Sequence, residues 1–337
     1  TSSTTSGYGT VDRFKVTYSG TNENPTQAQV DVASGTTPYT SGFRKALKIT
    51  NGNQTGGAGA TDHIRIVNVI EGQDIANSGW NYKSASSFIT LSFWVKSSVA
   101  QNFYGFIRNT DGTMYQYPFE TGSLTADTWT KITKTIPGNS NLTFDNDNGG
   151  AWELYIHQFA GTDETASGVT LNAWATYSGT AKMPDNTSTW YTTDDATFEL
   201  TGMQLEVGSV ATDFEHRSFA VEERLCQRYY FRQSAEHQYM RYACHGQTPS
   251  ANGAQYVYPL PVRMRAVPTL GYSALGDFYM YAGNLQSKTP TSLAMDAQST
   301  ISPMFVGAKS STFTGGQMAH LTTPNANQGY LEFIAEL

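Results

Sequence analysis

His63-Ile64-Arg65-Ile66-Val67-Asn68-Val69-Ile70 alternates apolar and polar side chains, and Thr130-Lys131-Ile132-Thr133-Lys134-Thr135-Ile136 repeats the swap at each step. A period of two is the stride of a β-strand that turns one face to a core and the other away from it. Working outward from these two runs, the same character recurs at Thr10–Tyr18, Ala46–Ile49, Phe88–Val95, Asn102–Arg108, Tyr115–Phe119, Ala151–Ala160 and Thr197–Glu206. Between them stand Asn51-Gly52, Gly56-Gly57, Asp111-Gly112 and Pro137-Gly138, pairs whose backbone freedom suits hairpins and sharp turns. About nine short strands over roughly 200 residues predict an all-β protein built on a two-sheet β-sandwich.

The pattern breaks at Ser218–Phe231 (SFAVEERLCQRYYF), where Val221, Leu225 and Tyr229 recur four apart. Ser218 is placed to cap a helix, and Glu222 and Glu223 lie in its first turns, where negative charge is favoured. Strand-like runs then resume at Gln238–Cys244, Ala254–Pro259, Thr269–Ser273, Phe278–Tyr281 and Gly329–Ile334. Three parts are therefore expected: a sandwich over 1–217, a linking helix over 218–231, and a smaller C-terminal β domain over 232–337, itself a sandwich. No repeat of 20–50 residues is visible, which disfavours solenoids and propellers.

Composition agrees with strands and turns. Only 15% of the 337 residues are charged, against about 25% in a typical soluble chain. The net charge of −7 comes from 21 Lys and Arg against 28 Asp and Glu, with no basic run anywhere. Phosphate recognition leaves a basic stripe, so nucleic acid is excluded as an expected partner, and anionic membrane surfaces with it. No apolar segment approaches the length of a membrane-spanning helix, so membrane insertion is not expected. The two cysteines, Cys226 and Cys244, read as buried thiols of a chain made in a reducing cytosol rather than as a disulfide staple.

Four stretches carry a family resemblance: Tyr8–Val16 (YGTVDRFKV), Thr90–Ser98 (TLSFWVKSS), Thr128–Gly138 (TWTKITKTIPG) and, most specific, Thr201–Phe231 (TGMQLEVGSVATDFEHRSFAVEERLCQRYYF). They resemble phage tail-fibre proteins with a jelly-roll domain like a carbohydrate-binding module. Leu260–Thr269 (LPVRMRAVPT) is similar to the strand that opens the small C-terminal domain of the same group; within Thr201–Phe231, relatives commonly carry proline in place of Asp213. The resemblance implies a non-enzymatic virion protein of the tail fibre, made in the host cytoplasm. It implies host-cell adsorption through surface polysaccharide or glycan, and attachment to other tail proteins through a region upstream of Thr1. Single sugar sites are weak and fibres compensate by avidity, so a homotrimer is expected.

Thirteen per cent of the chain is aromatic. Trp94 and Trp129 sit in alternating strands and are expected in the core. Trp80, Tyr82, Tyr115, Tyr117, Trp174, Tyr177, Trp190 and Tyr191 instead lie among Asn, Ser, Gly and Thr, in segments that read as loops or strand ends. Such rings stack on the C–H face of a pyranose while neighbouring amides and carboxylates bond its hydroxyls, so they are the candidate glycan ligands. The same rings could instead plug the ends of a sandwich. Asp145-Asn146-Asp147-Asn148-Gly149-Gly150 spaces hard oxygens two apart before a glycine turn, which suits Ca2+ at Asp145 and Asp147. Ile156 stands where an EF-hand loop would close with Glu, and plain turn formation explains the same residues.

A glycosidase needs two carboxylates flanking a cleft. Glu199 and Glu206 fall seven apart in one expected strand and so point to opposite faces. Glu206 and Glu215 are better read as partners of Arg217 or Arg224. No HExxH, GxSxG, phosphate loop or CxxC is present. The expectation is thus recognition without chemistry, with two rivals: a virion module that touches no receptor, and a polysaccharide depolymerase.

Overall fold

A computed structural model describes residues 2–250, 253–283, 286–297, 299–308, 313–324 and 329–337. The chain divides into two compact units, Thr1–His216 together with Leu337, and Arg217–Glu336. In the first unit one sheet runs β1 (Ser2–Ser3), β3 (Thr26–Asp31), β4 (Lys45–Thr50), β12 (Thr197–Val207), β6 (Phe88–Ser97) and β9 (Thr130–Pro137). The other runs β11 (Ala175–Thr176), β8 (Tyr115–Ser123), β7 (Asn102–Asn109), β10 (Gly150–Ala160), β5 (His63–Glu71) and β2 (Phe14–Ser19). The ladders are antiparallel and join strands distant in sequence, such as β12 with β4 and β10 with β5, which makes a jelly-roll β-sandwich.

The sandwich closes because both sheets turn an apolar face inward. Ile64 and Ile66 of β5, Phe103 and Ile107 of β7, and Trp152, Leu154 and Ile156 of β10 meet Ile89, Leu91, Phe93 and Val95 of β6 and Phe198 and Leu200 of β12. In β5 the alternation of the sequence holds from His63 to Ile66. Beyond it both faces are apolar: Val67 and Val69 are also buried, in a second cluster on the far side of the sheet with Phe106, Tyr155 and Met183. The segment after β10 supplies that cover. Trp94 and Trp129 depart from expectation, since both are half-buried and pack on the outer face of the first sheet, beside Val32, Phe43 and Ala46.

Three short helices interrupt the strands: α1 (Thr37–Thr40), α2 (Gly72–Ala76) and α3 (Thr189–Thr192). The longer α4 covers Phe219–Gln227, four residues short of the expected end at Phe231. Tyr230 and Phe231 instead begin β13 (Tyr230–Ser234) and pair with Ile334 and Phe333. Three consecutive aromatics favour a pleated ladder over a helix surface, and Tyr229 is already buried there. The backbone oxygen of Ser218 accepts from Val221 and Glu222, but its hydroxyl makes no cap hydrogen bond. None of the residues of α4 is buried, so the Val221–Leu225 stripe faces no core.

In the second unit β13 joins a three-stranded sheet with β22 (Tyr330–Ile334) and β16 (Thr269–Tyr272). A larger sheet runs β18 (Gln286–Lys288), β17 (Tyr279–Ala282), β21 (Met318–Thr322), β14 (Arg241–Ser250), β15 (Gly253–Val257), β20 (Met304–Ala308) and β19 (Ser292–Ala297). Tyr256, Phe278, Met280, Leu321, Leu331 and Phe333 form its core. Cys226 is half-buried at the end of α4; the side chain of Cys244 lies outside the described residues.

Candidate functional site: a charged aromatic face

The outward positions of β5, β7 and β10 bring a cluster of titratable groups together, from the fully buried His157 to the partly exposed Arg108 and Glu153. Register does this directly: Glu153 pairs with Arg108, Tyr155 with Phe106, and His157 with both Tyr104 and Arg65. Phe106 stacks on Tyr155 at 4.4 Å and 12°. The Arg108 Nε donates to Glu153 Oε2 at 2.5 Å, and the Tyr155 hydroxyl donates to the same oxygen at 2.7 Å. The guanidinium of Arg108 also lies 4.7 Å from the ring centre of Tyr177, within cation–π range. Burial and the Glu153 carboxylate push the Tyr155 phenol well above its ordinary range, so it stays a donor.

Next to this cluster, Glu164 reaches back from the segment after β10 and gathers cations. Its Oε2 lies 3.0 Å from Arg65 Nη1 and 3.0 Å from Lys182 Nζ. His157 Nε2 stands 3.8 Å and His63 Nδ1 3.6 Å from the same carboxylate, both beyond hydrogen-bond reach. Burial would raise the Glu164 carboxyl, but the Arg65 and Lys182 cations at 3.0 Å outweigh it and hold it far below the usual range. The two histidines go the other way: burial, with the Arg65 charge beside it, pushes His157 down to about 3 and His63 to about 4. Both are neutral at pH 7. A carboxyl held this firmly ionised cannot act as the general acid of glycoside hydrolysis.

Of the eight aromatics expected to contact sugar, only Tyr177 belongs to this face. Trp80, Tyr117, Trp190 and Tyr191 are buried core rings, a correction to the exposed-platform reading. Trp80 meets Trp152 edge-on at 5.7 Å, and Tyr191 stacks on Phe159 at 4.5 Å. Their polar atoms find partners inside. The Trp190 Nε1 donates to the Thr197 carbonyl at 3.0 Å, and the Tyr191 hydroxyl to Asp62 at 3.1 Å. Tyr82, Tyr115 and Trp174 are half-buried against the same core. Trp174 donates to the Pro137 carbonyl at 2.7 Å. The polar neighbours that made these segments look like ligand loops belong to the turning backbone, while the rings fold inward.

The Asp145–Gly150 run, the candidate calcium stretch, bends and bonds locally. Asp147 Oδ1 accepts the Gly149 N–H at 2.9 Å, and the Asp147 carbonyl accepts from Gln73 at 2.8 Å. The Asp145 N–H donates to Asp111 at 2.8 Å, and burial together with Asp145 and Asp147 raises the Asp111 carboxyl. Among the described residues no three His, Cys, Asp or Glu side chains converge as a metal site. Glu199 pairs with Lys96 at 2.9 Å, while Glu206 binds Thr212 and Gln204 rather than an arginine.

Sequence reasoning passed over Arg65, Arg108, Glu153, Tyr155, His157, Glu164 and Lys182. The signal was present in β5 and β10, where His63/Arg65 and Glu153/Tyr155/His157 occupy the non-core positions of otherwise apolar strands.

No family model matches this chain, and no curated protein sequence does. Among solved structures, the chain is similar to the family 11 carbohydrate-binding module of Clostridium thermocellum in complex with a β-1,3-1,4-mixed-linked tetrasaccharide, at 12% identity, TM-score 0.29, 61% of this chain and 95% of that one. The CBM22-1–GH10 modules of a C. thermocellum xylanase complexed with xylohexaose match at 11% identity and TM-score 0.29, over 64% of this chain and 29% of theirs. The tandem CBM22 domain of Paenibacillus barcinonensis Xyn10C matches at 9% identity and TM-score 0.27, over 95% of this chain and 91% of that one. Likeness at this level assigns neither ligand nor activity.

Proposed function

We propose that this chain is a non-catalytic, glycan-recognising portion of a phage tail fibre, exposed on the virion and used for host adsorption. The observation that carries the recognition half is the Arg108–Glu153–Tyr155–Tyr177 arrangement. A fixed guanidinium and carboxylate, both partly exposed, offer paired donors and acceptors to neighbouring sugar hydroxyls, and the half-buried Tyr177 ring adds an apolar surface beside them. Their mutual hydrogen bonds hold them in place before a ligand arrives, which lowers the ordering cost of binding. The fibre half of the proposal is supported by the resemblance of Thr201–Phe231. A homotrimer would multiply weak single contacts, and other tail proteins would carry the fibre on the virion.

The test is retention of the purified chain on an array of bacterial surface polysaccharides, followed by competition against adsorption of the parent phage. We expect binding that falls at least tenfold in Arg108→Ala and in Tyr177→Ala, and competition that vanishes with it. Burial of Trp80 and Trp190 favours a second reading, a structural virion module without receptor contact. Absence of both binding and competition would leave that reading in place. Release of reducing ends from a bound polysaccharide would overturn the non-catalytic assignment.

A further inference from the structure

A groove of about 460 Å3 opens on the outer face of the first sheet. Its floor is Ser92 and Trp94 of β6 and Gly202 of β12, and its walls are the turn after α1 and the stretch Thr212–His216. A bulge between Thr201 and Gln204 makes room for it. Gly202 lies there at φ +61°, and a Cβ on it would come 2.5 Å from the Phe43 ring. Only glycine lets Phe43 settle on the sheet, where it packs edge-on against Phe214 at 4.8 Å.

Both walls are fastened. His216 Nε2 lies 2.9 Å from the Ser41 carbonyl and ties one wall to the other. Gln204 accepts the Glu215 N–H at 2.8 Å, while Glu206 accepts the Thr212 N–H at 2.9 Å and its hydroxyl at 2.6 Å. The alternation that buries Phe93 and Val95 turns the half-buried Trp94 indole outward, with Lys131 directly opposite on β9 and exposed. Asp213, also exposed, stands on the far wall.

We propose that this groove is a second saccharide site, taking a short segment of a pyranose chain. The proposal rests on the glycan-recognising reading above, yet it concerns different residues on a different sheet. An indole face flanked by one ammonium, one carboxylate and wall hydroxyls matches the alternating C–H faces and hydroxyl edges of a sugar ring. The volume lies in the range of about 300–1,000 Å3 typical of small-ligand sites. Two sites on opposite sheets let one sandwich hold two points of a polysaccharide at once, which strengthens attachment without a new contact type.

The probe is an array of immobilised hexose, hexuronate and acetamido-sugar oligosaccharides, with the strongest hit then titrated calorimetrically. The full chain should bind two equivalents. Trp94→Ala and Lys131→Glu should each leave one, as should Tyr177→Ala, and Trp94→Ala with Tyr177→Ala should leave none. Lys131 is exposed, so its variant keeps the test valid if loss of the indole disturbs folding. A stoichiometry of one that Tyr177→Ala abolishes and Lys131→Glu does not change overturns the second site while the glycan reading stands. Binding of no oligosaccharide by the unaltered chain overturns both.

Discussion

Gly202 shows how much one position can decide. Its positive φ and the Phe43 ring in the space of the missing side chain make two separate demands for glycine. Gly202→Ala should therefore cost about 1–3 kcal/mol, from backbone strain and displacement of the ring. Urea unfolding of the variant beside Gly57→Ala, at a glycine of positive φ with nothing within 4 Å, would separate the two contributions. The eight loop aromatics teach the reverse lesson at the same scale. Asn, Ser and Thr neighbours report that the backbone turns near water, not where a ring points. Trp190 sits in a four-residue helix between exposed threonines and is nevertheless fully buried, because its N–H finds the Thr197 carbonyl. A hydrogen bond spanning seven residues is invisible to local composition.

At the scale of elements, strands were readable and their outer faces were not. Period-two runs placed β5, β6, β7, β9, β10 and β12 because burying one face is a local property of alternation. Which outer face is buried again depends on what later crosses it. The segment from Gly161 to Lys182 does so over β5 and β10, and nothing in either strand announces it. The same reason explains the end of α4: four-residue spacing suggested that the helix continue, but pairing with β22 claimed Tyr230 and Phe231. Burial of His63 and His157 gives these strands a pH signature. Each is neutral when folded, with a pKa of about 4 and about 3, whereas in the unfolded chain it protonates near pH 6.5. Acid thus favours the unfolded state, and stability should fall below pH 6.5 by up to about 1.4 kcal/mol per pH unit for each histidine. Glu164 adds to the loss below about pH 4.5, where its unfolded counterpart protonates. Urea midpoints at pH 7 and pH 5 should differ clearly in the unaltered chain and by less in His157→Phe. Equal differences in the two proteins would refute the assignment.

For the whole molecule, the division at His216–Arg217 makes a direct prediction. Residues 1–216 expressed alone should melt in one cooperative transition, because the main core between the two sheets lies within that stretch and only Leu337 packs on the unit from beyond it. Loss of near-ultraviolet signal in the excised piece would show otherwise. The proposed trimer belongs to this scale too, and sedimentation equilibrium should return three chains per particle. An all-β fold could be anticipated from strand spacing, because turn residues and alternation are written locally. Copy number could not, since it depends on surfaces whose partner lies outside the chain.

The carboxylate of Glu164 has a last consequence, for proteolysis. It clamps Lys182, the residue after which trypsin would cut, against a sheet, leaving that residue only 9% exposed. A connection running from Gly161 to Ala196 with little regular structure would ordinarily be digested first. Here trypsin at neutral pH should spare it. In Glu164→Gln, with Arg65 and Lys182 left uncompensated, cleavage after Lys182 should lead the digestion, read by mass spectrometry of the earliest fragments. Resistance of this connection to proteolysis would then come from one half-buried charge rather than from a shorter loop.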